Sequence, residues 1–107
     1  MIVAPATANC LAKLACGLAD GLVSTAVLAA WQACPLLLAP AMNERMWRAP
    51  TTQANCARLK EFGARFIGPV EGRLACGTTG PGRLAEPADI LARAAEVLRQ
   101  TPPGDIA

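Results

Sequence analysis

One apolar run, Leu36-Leu37-Leu38-Ala39, is stopped by Pro40 and followed at once by a polar turn carrying Asn43. A run this short, closed by a residue that cannot continue a hydrogen-bond ladder, predicts a buried strand that enters a loop and then a helix. Two other segments end the same way: Ile2-Val3-Ala4 at Pro5, and Arg65-Phe66-Ile67-Gly68 at Pro69. Helical patterns separate the three. Apolar strands alternating with helices imply an α/β fold, a parallel sheet with helices on both faces.

The helices are legible from period and punctuation. Leu11, Leu14, Ala15 and Leu18 recur at one-turn spacing after two candidate caps, Thr7 and Asn9, and Gly17 weakens the end. Asp20 is the expected cap of a second helix from Leu22 to about Ala30, apolar nearly all round and therefore expected to be buried on several sides. A third helical segment, Asn43 to Phe62, is broken at Pro50 and terminated by Gly63. The glycines between Glu71 and Pro87 predict an irregular loop, a shaped or mobile flap. Ile90, Leu91, Ala94, Ala95, Val97 and Leu98 predict a final amphipathic helix. Residues 1–100 are expected to form one domain, and 101–107, with Pro102, Pro103 and Gly104, a linker or tail.

Composition narrows the function. A 53% hydrophobic and 17% charged chain is built to pack a core, and a net charge of +2 with 4% aromatics offers neither a basic stripe nor a stacking platform for nucleic acid. Gly21 to Met42 is almost continuously apolar, but Gln32 and Pro35 interrupt it and no basic flank follows, so a helix and a strand explain it better than a membrane span. No charged segment precedes the first apolar residues, so no signal peptide is expected. Five cysteines, none in C-x-x-C spacing, suggest reduced thiols in a cytoplasmic protein rather than a disulfide framework or a zinc site. The four at 10, 16, 34 and 56 lie on or beside apolar segments and read as core. No histidine is present, which removes the commonest general base.

Right-handed crossovers carry all three strand-to-loop junctions to one rim of the sheet. That rim gathers Pro5-Ala6-Thr7-Ala8-Asn9, the Met42-Asn43 turn, and Leu74-Ala75-Cys76-Gly77 within the glycine-rich stretch. Asn43 is the natural N-cap of a helix starting at Glu44, and its amide can equally hold a carboxylate or steady developing negative charge. Met42, Met46 and Trp47 read as core or pocket wall rather than as recognition elements. Cys76, with Arg73 and Arg83 nearby in sequence, is either a proton donor or nucleophile or a small buried apolar residue. The first turn lacks the glycine spacing of a dinucleotide loop or a P-loop. A strand beginning at Ile2, in a sheet of three parallel strands, is expected to belong to a domain incomplete at its N-terminus.

Taken together, these turns resemble the flavin-dependent cysteine decarboxylase family. Pro5-Ala6-Thr7-Ala8-Asn9-Cys10 is similar to its P-A-S-A-N-T motif, with Thr for Ser and Cys for the last Thr, and Pro40 to Trp47 matches P-x-M-N-x-x-M-W at every fixed position. Leu74 to Gly77 with Gly80-Pro81-Gly82-Arg83 resembles the family's substrate clamp. The resemblance runs to about residue 98 and implies a three-layer, flavodoxin-like (Rossmann-type) fold with FMN, assembled as a homo-oligomer, a trimer or a dodecamer. Its motifs lie nearest the branch that decarboxylates 4'-phospho-N-pantothenoylcysteine to 4'-phosphopantetheine in coenzyme A biosynthesis. There the flavin oxidises the substrate's thiol, the carboxylate leaves, and a hydride returns. By match, Asn43 holds the substrate carboxylate, Cys76 supplies the last proton, and Pro5, Ala6, Thr7, Ala8 and Asn9 line the flavin pocket. Met42, Met46, Ala75 and Gly77 complete the substrate's surroundings.

The family's FMN phosphate loop and histidine lie upstream of its first motif, and the chain carries neither. The resemblance therefore implies the C-terminal part of a decarboxylase domain, inactive and weak for FMN in isolation, with a synthetase domain as a possible fused neighbour. The rival readings are a peptidyl-cysteine decarboxylase, a flavin prenyltransferase, and a non-catalytic flavin-binding or regulatory subunit. The complete Asn43 motif with the Cys76 stretch argues against the first two.

Overall fold

The computed structural model describes residues 1–73 and 79–100. In chain order the elements are β1 (Ile2–Ala6), α1 (Ala8–Cys16), α2 (Leu22–Ala30), β2 (Leu37–Pro40), α3 (Glu44–Arg48), α4 (Pro50–Glu61) and β3 (Arg65–Phe66). A hairpin of β4 (Val70–Arg73) and β5 (Thr79–Arg83) follows, then α5 (Pro87–Gln100). The α/β reading holds: β1, β2 and β3 form one parallel sheet in that order.

β2 sits at its centre, and all of its residues are buried. Its alternation builds two cores. Leu36, just before the strand, and Leu38 pack with Leu11, Leu14, Val27, Cys56 and Leu59 from α1, α2 and α4. Leu37 and Ala39 turn to the other face and meet Ala85 and Ile90. A strand buried on both sides needs apolar residues at every position, which is why this segment reads as a continuous run. Each large side chain removed from water contributes about 1.5–3 kcal/mol.

Local chemistry sets the helix ends. Gly17 takes φ 72° and returns its amide to Leu14, closing α1. Pro50 opens α4 at its first turn, where a missing N–H costs nothing, and Gly63 at φ 99° ends the segment.

Several expectations need correction. The glycine-rich stretch is not irregular throughout: β4 and β5 pair antiparallel from Val70↔Arg83 to Arg73↔Thr79. Glycine keeps both backbone hydrogen-bonding groups, so a short two-stranded ladder tolerates it. The third strand is also shorter than its apolar run suggests, since only Arg65 and Phe66 pair with β2. Asp20 does not cap α2; it pairs with Lys13 at 3.1 Å, while the Ser24 hydroxyl accepts from the Gly21 N–H at 3.2 Å. Nor is α2 enclosed. Only Ser24 and Val27 are buried, and Leu22 is 88% exposed, because the helix docks through one side.

The cysteines divide too. Cys56 is buried, Cys10 and Cys34 are half-buried, and Cys16 is exposed because it closes the last turn of α1. Burial pushes the thiols of Cys10 and Cys56 up, against a smaller downward pull from Lys13 and Lys60 respectively. Raised folded-state values mean that the native chain keeps protons the unfolded chain releases. Their contribution to stability is complete below about pH 8.5, the ordinary thiol value, and fades as pH rises through the folded values. At pH 7.5, maleimide labelling read by peptide mapping is expected to modify Cys16 well before Cys56. Equal rates would mean that the core around Cys56 opens freely.

Candidate active site

The first two predicted turns converge, and the described part of the hairpin joins them. Parallel pairing puts Ala6 beside Pro40 in register, and the Ala41 amide donates to the Ala6 carbonyl at 3.1 Å, so the first two turns share a backbone hydrogen bond. The Met42 amide donates to the Gly82 carbonyl at 2.8 Å, which brings the hairpin onto the same rim. Ala75, Cys76 and Gly77 lie outside the described residues; the hairpin that carries them is placed up to Arg73 and again from Thr79.

In the first turn, Thr7 is the N-cap of α1 and its hydroxyl accepts from the Cys10 N–H at 3.1 Å. Asn9, the alternative cap, lies inside the helix and is exposed. The amides of Ala8 and Asn9 stand in the first turn, where no carbonyl lies four residues back to accept them. Pro5 is exposed, Ala6 buried and Ala8 half-buried. Thr7→Ala is expected to lower stability by about 1 kcal/mol, read as a shift in the denaturant midpoint. No shift would mean that water replaces the hydroxyl without cost.

In the second turn, Asn43 is the N-cap of α3 with φ −68° and ψ 163°. Its Oδ1 accepts from the Met46 N–H at 2.8 Å. That bond settles which end of the amide points where: the oxygen is occupied, and the Nδ2 group, with two hydrogens, has no acceptor among the described residues. Asn43 and Met46 are exposed and Met42 is half-buried. The cap and the candidate binding group are therefore the same side chain, used at its two ends.

Three neighbours complete this turn, and sequence reasoning passed over the contacts of two, Glu44 and Gln53. Glu44 Oε1 accepts from Arg48 Nε at 2.9 Å, one turn on along α3. Gln53 Nε2 donates to the Trp47 carbonyl at 2.6 Å, tying α4 to the end of α3. Gly82, with φ 132°, lies against Met42 and Asn43. The last stands in the glycine-proline-glycine triplet already singled out beyond Cys76.

A hollow of about 460 Å³ lies beside the turn, lined by Trp47, Arg48, Gln53, Glu71 and Pro81. A larger one, about 520 Å³, is lined by Leu14, Cys16, Leu28, Trp31, Arg58 and Phe62 among others, and includes none of the predicted site residues. It belongs to the ends of α1 and α2, away from the strand-end rim, so size alone does not mark the site. Among the described residues, no helix is long and apolar enough to cross a membrane.

Comparison with known proteins agrees with the fold. The chain is 50% identical over 91 residues to the coenzyme A biosynthesis bifunctional protein CoaBC of Bacillus subtilis, covering 85% of this chain and 22% of that protein. It superposes with a TM-score of 0.84 and 37% identity on a cysteine-to-serine mutant of a PPC decarboxylase complexed with pantothenoylaminoethenethiol, over 94% of this chain and 54% of that one. The FMN binding protein AtHal3 gives a TM-score of 0.81 at 39% identity, over 94% and 55% respectively. The chain thus spans about half the length of these solved structures and about a fifth of the bifunctional relative. The model of the Flavoprotein family matches residues 1–99, and the chain belongs to that family.

Proposed function

We propose that this chain supplies the substrate-facing half of an FMN-dependent decarboxylase acting on 4'-phospho-N-pantothenoylcysteine. The observation that carries the reading is the Asn43 amide. Its oxygen is held by the Met46 N–H, which leaves the nitrogen to donate across the rim. A fixed donor pair suits a carboxylate, and it sits where the Pro5–Asn9 turn arrives.

The donor set also suits a flavin. A flavin's pyrimidine edge presents carbonyl acceptors and an N–H, and the first turn offers the Ala8 and Asn9 amides together with the Asn9 side chain, which both donates and accepts. Bound FMN supplies the two-electron oxidation of the substrate thiol and the returning hydride. This chain's part is to orient and to protonate. Asn43 Nδ2 holds the substrate carboxylate until it departs, Met42 and Met46 flank it, and Cys76 delivers a proton from its thiol to the product carbon. The relatives' bifunctional architecture supports a fused synthetase domain as a neighbour, and the apolar outer side of α2 supports a homo-oligomer.

The test is a chimera in which this chain replaces the matching segment of the Bacillus subtilis bifunctional protein. It is expected to retain FMN colour and to convert 4'-phospho-N-pantothenoylcysteine to 4'-phosphopantetheine, read by mass spectrometry. A yellow, folded chimera that instead decarboxylates only a peptide ending in cysteine, or nothing at all, would overturn the reading. In the same chimera Cys76→Ser is expected to release CO2 yet stop before the final reduction. A normal yield of 4'-phosphopantetheine would remove Cys76 from its role.

A further inference from the structure

The hairpin meets the Asn43 turn through one residue. Along the β4–β5 ladder Val70 pairs with Arg83 and Glu71 with Pro81, so Gly82 is the extra residue of a bulge. A bulge takes one residue out of the ladder and re-aims its polar groups. Here the freed Gly82 carbonyl accepts from the Met42 N–H at 2.8 Å. The approach is close on the other side as well: a Cβ on Gly82 would collide with the Met42 carbonyl oxygen, and the backbone φ of 132° is itself one that side chains resist. Gly82 is buried in this contact.

Two residues toward the hairpin's end, Gly80 passes under Glu44, where a Cβ would stand 2.5 Å from the carboxylate oxygen Oε2. The two contacts differ in kind. Glu44 is a flexible side chain whose other oxygen is held by Arg48, and it can swing aside. The Met42 carbonyl is backbone of the turn that places Asn43, and it has nowhere to go without turning Asn43 with it.

We propose that Gly82 is a positioning residue: its bulge fastens the hairpin to the Met42–Asn43 backbone, so that the turn bearing the carboxylate-binding amide and the strand beyond Cys76 are held as one unit. The functional half of this statement rests on the reading above; the anchoring half does not.

The two halves are tested separately. In the chain itself, a through-hydrogen-bond scalar coupling is expected between the Met42 amide nitrogen and the Gly82 carbonyl carbon; its absence overturns the anchor without any variant. In Gly82→Ala the Met42 amide is expected to exchange with deuterium at least ~10-fold faster, once the global loss of stability is subtracted. The Ala41 amide, bonded to Ala6 instead, is expected to stay within about 2-fold of its original rate and serves as the internal control. Gly63→Ala, also at positive φ (99°) but with nothing within 4 Å, carries the backbone strain without the collision and is expected to leave Met42 protected. Equal exchange of Met42 in the two variants overturns the anchor.

The functional arm uses the chimera. Gly82→Ala is expected to retain FMN absorbance while the substrate KM rises at least ~10-fold, as misplacing a binding group predicts. Gly80→Ala is expected to change it less than about 3-fold, because Glu44 yields, and Glu44→Ala added to it is expected to restore the original value. An exposed Met42 amide with an unchanged KM would overturn the positioning role while leaving the proposed function intact. An inactive parent chimera would overturn that function and leave the exchange result standing.

Discussion

Asn43→Asp is expected to abolish most turnover, by about 10²–10³-fold, while leaving stability nearly unchanged. The two outcomes separate the two ends of one side chain. Aspartate caps a helix as well as asparagine does, so the bond from the Met46 N–H survives. What is lost is the Nδ2 donor pair, replaced by a negative charge facing the substrate carboxylate. Asn43→Ala is the companion: it removes both ends and is expected to cost about 1 kcal/mol of stability as well. The measurements are steady-state rates in the chimera and a denaturation curve for each variant. If Asn43→Asp turns over at the original rate, the amide is a cap and nothing more, and the reading of the rim as a carboxylate site fails.

Leu38→Ala is expected to be the most damaging single core change. Leu38 lies at the centre of the sheet, fully buried, between Val3 on one neighbouring strand and Phe66 on the other. Truncation there leaves a cavity that backbone on both sides keeps open, so about 3–5 kcal/mol is expected. A domain of this size holds about 5–15 kcal/mol in all, so the variant should be marginal at 37 °C. Exposed Leu91, on the outer side of α5, supplies the contrast. Leu91→Ala is expected to shift stability by no more than about 0.5 kcal/mol. Urea midpoints for the pair decide it; equal shifts would mean that the sheet is not the organising core.

Much of this was readable because it was local. The strand at Leu37–Pro40 announces itself by an apolar run that ends at proline, and the parallel sheet follows from helices standing between such runs. Asn43 as cap, Pro50 as a helix start and Gly63 as a stop each depend on a residue's own backbone preference and the three or four positions after it. The errors have one origin. Apolar content gave α2 and the cysteines a burial that only neighbours can provide, and Leu22 and Cys16 face outward. Glycine content suggested an irregular loop where Gly72 and Gly80 pair in a ladder, because a ladder is a property of two segments and not of either.

The order of residues by itself determined where the central strand lies, which residues cap and stop the helices, and that the Pro5–Asn9 and Met42–Asn43 turns share a rim. Those are consequences of side-chain volume, proline and glycine acting within a few positions. Folding alone decided how the rim closes. The Ala41–Ala6 bond and the contact that sets Gly82 on Met42 are meetings of segments about 35 and 40 residues apart in the chain. Such distances are fixed by packing against a common core, which no local pattern records.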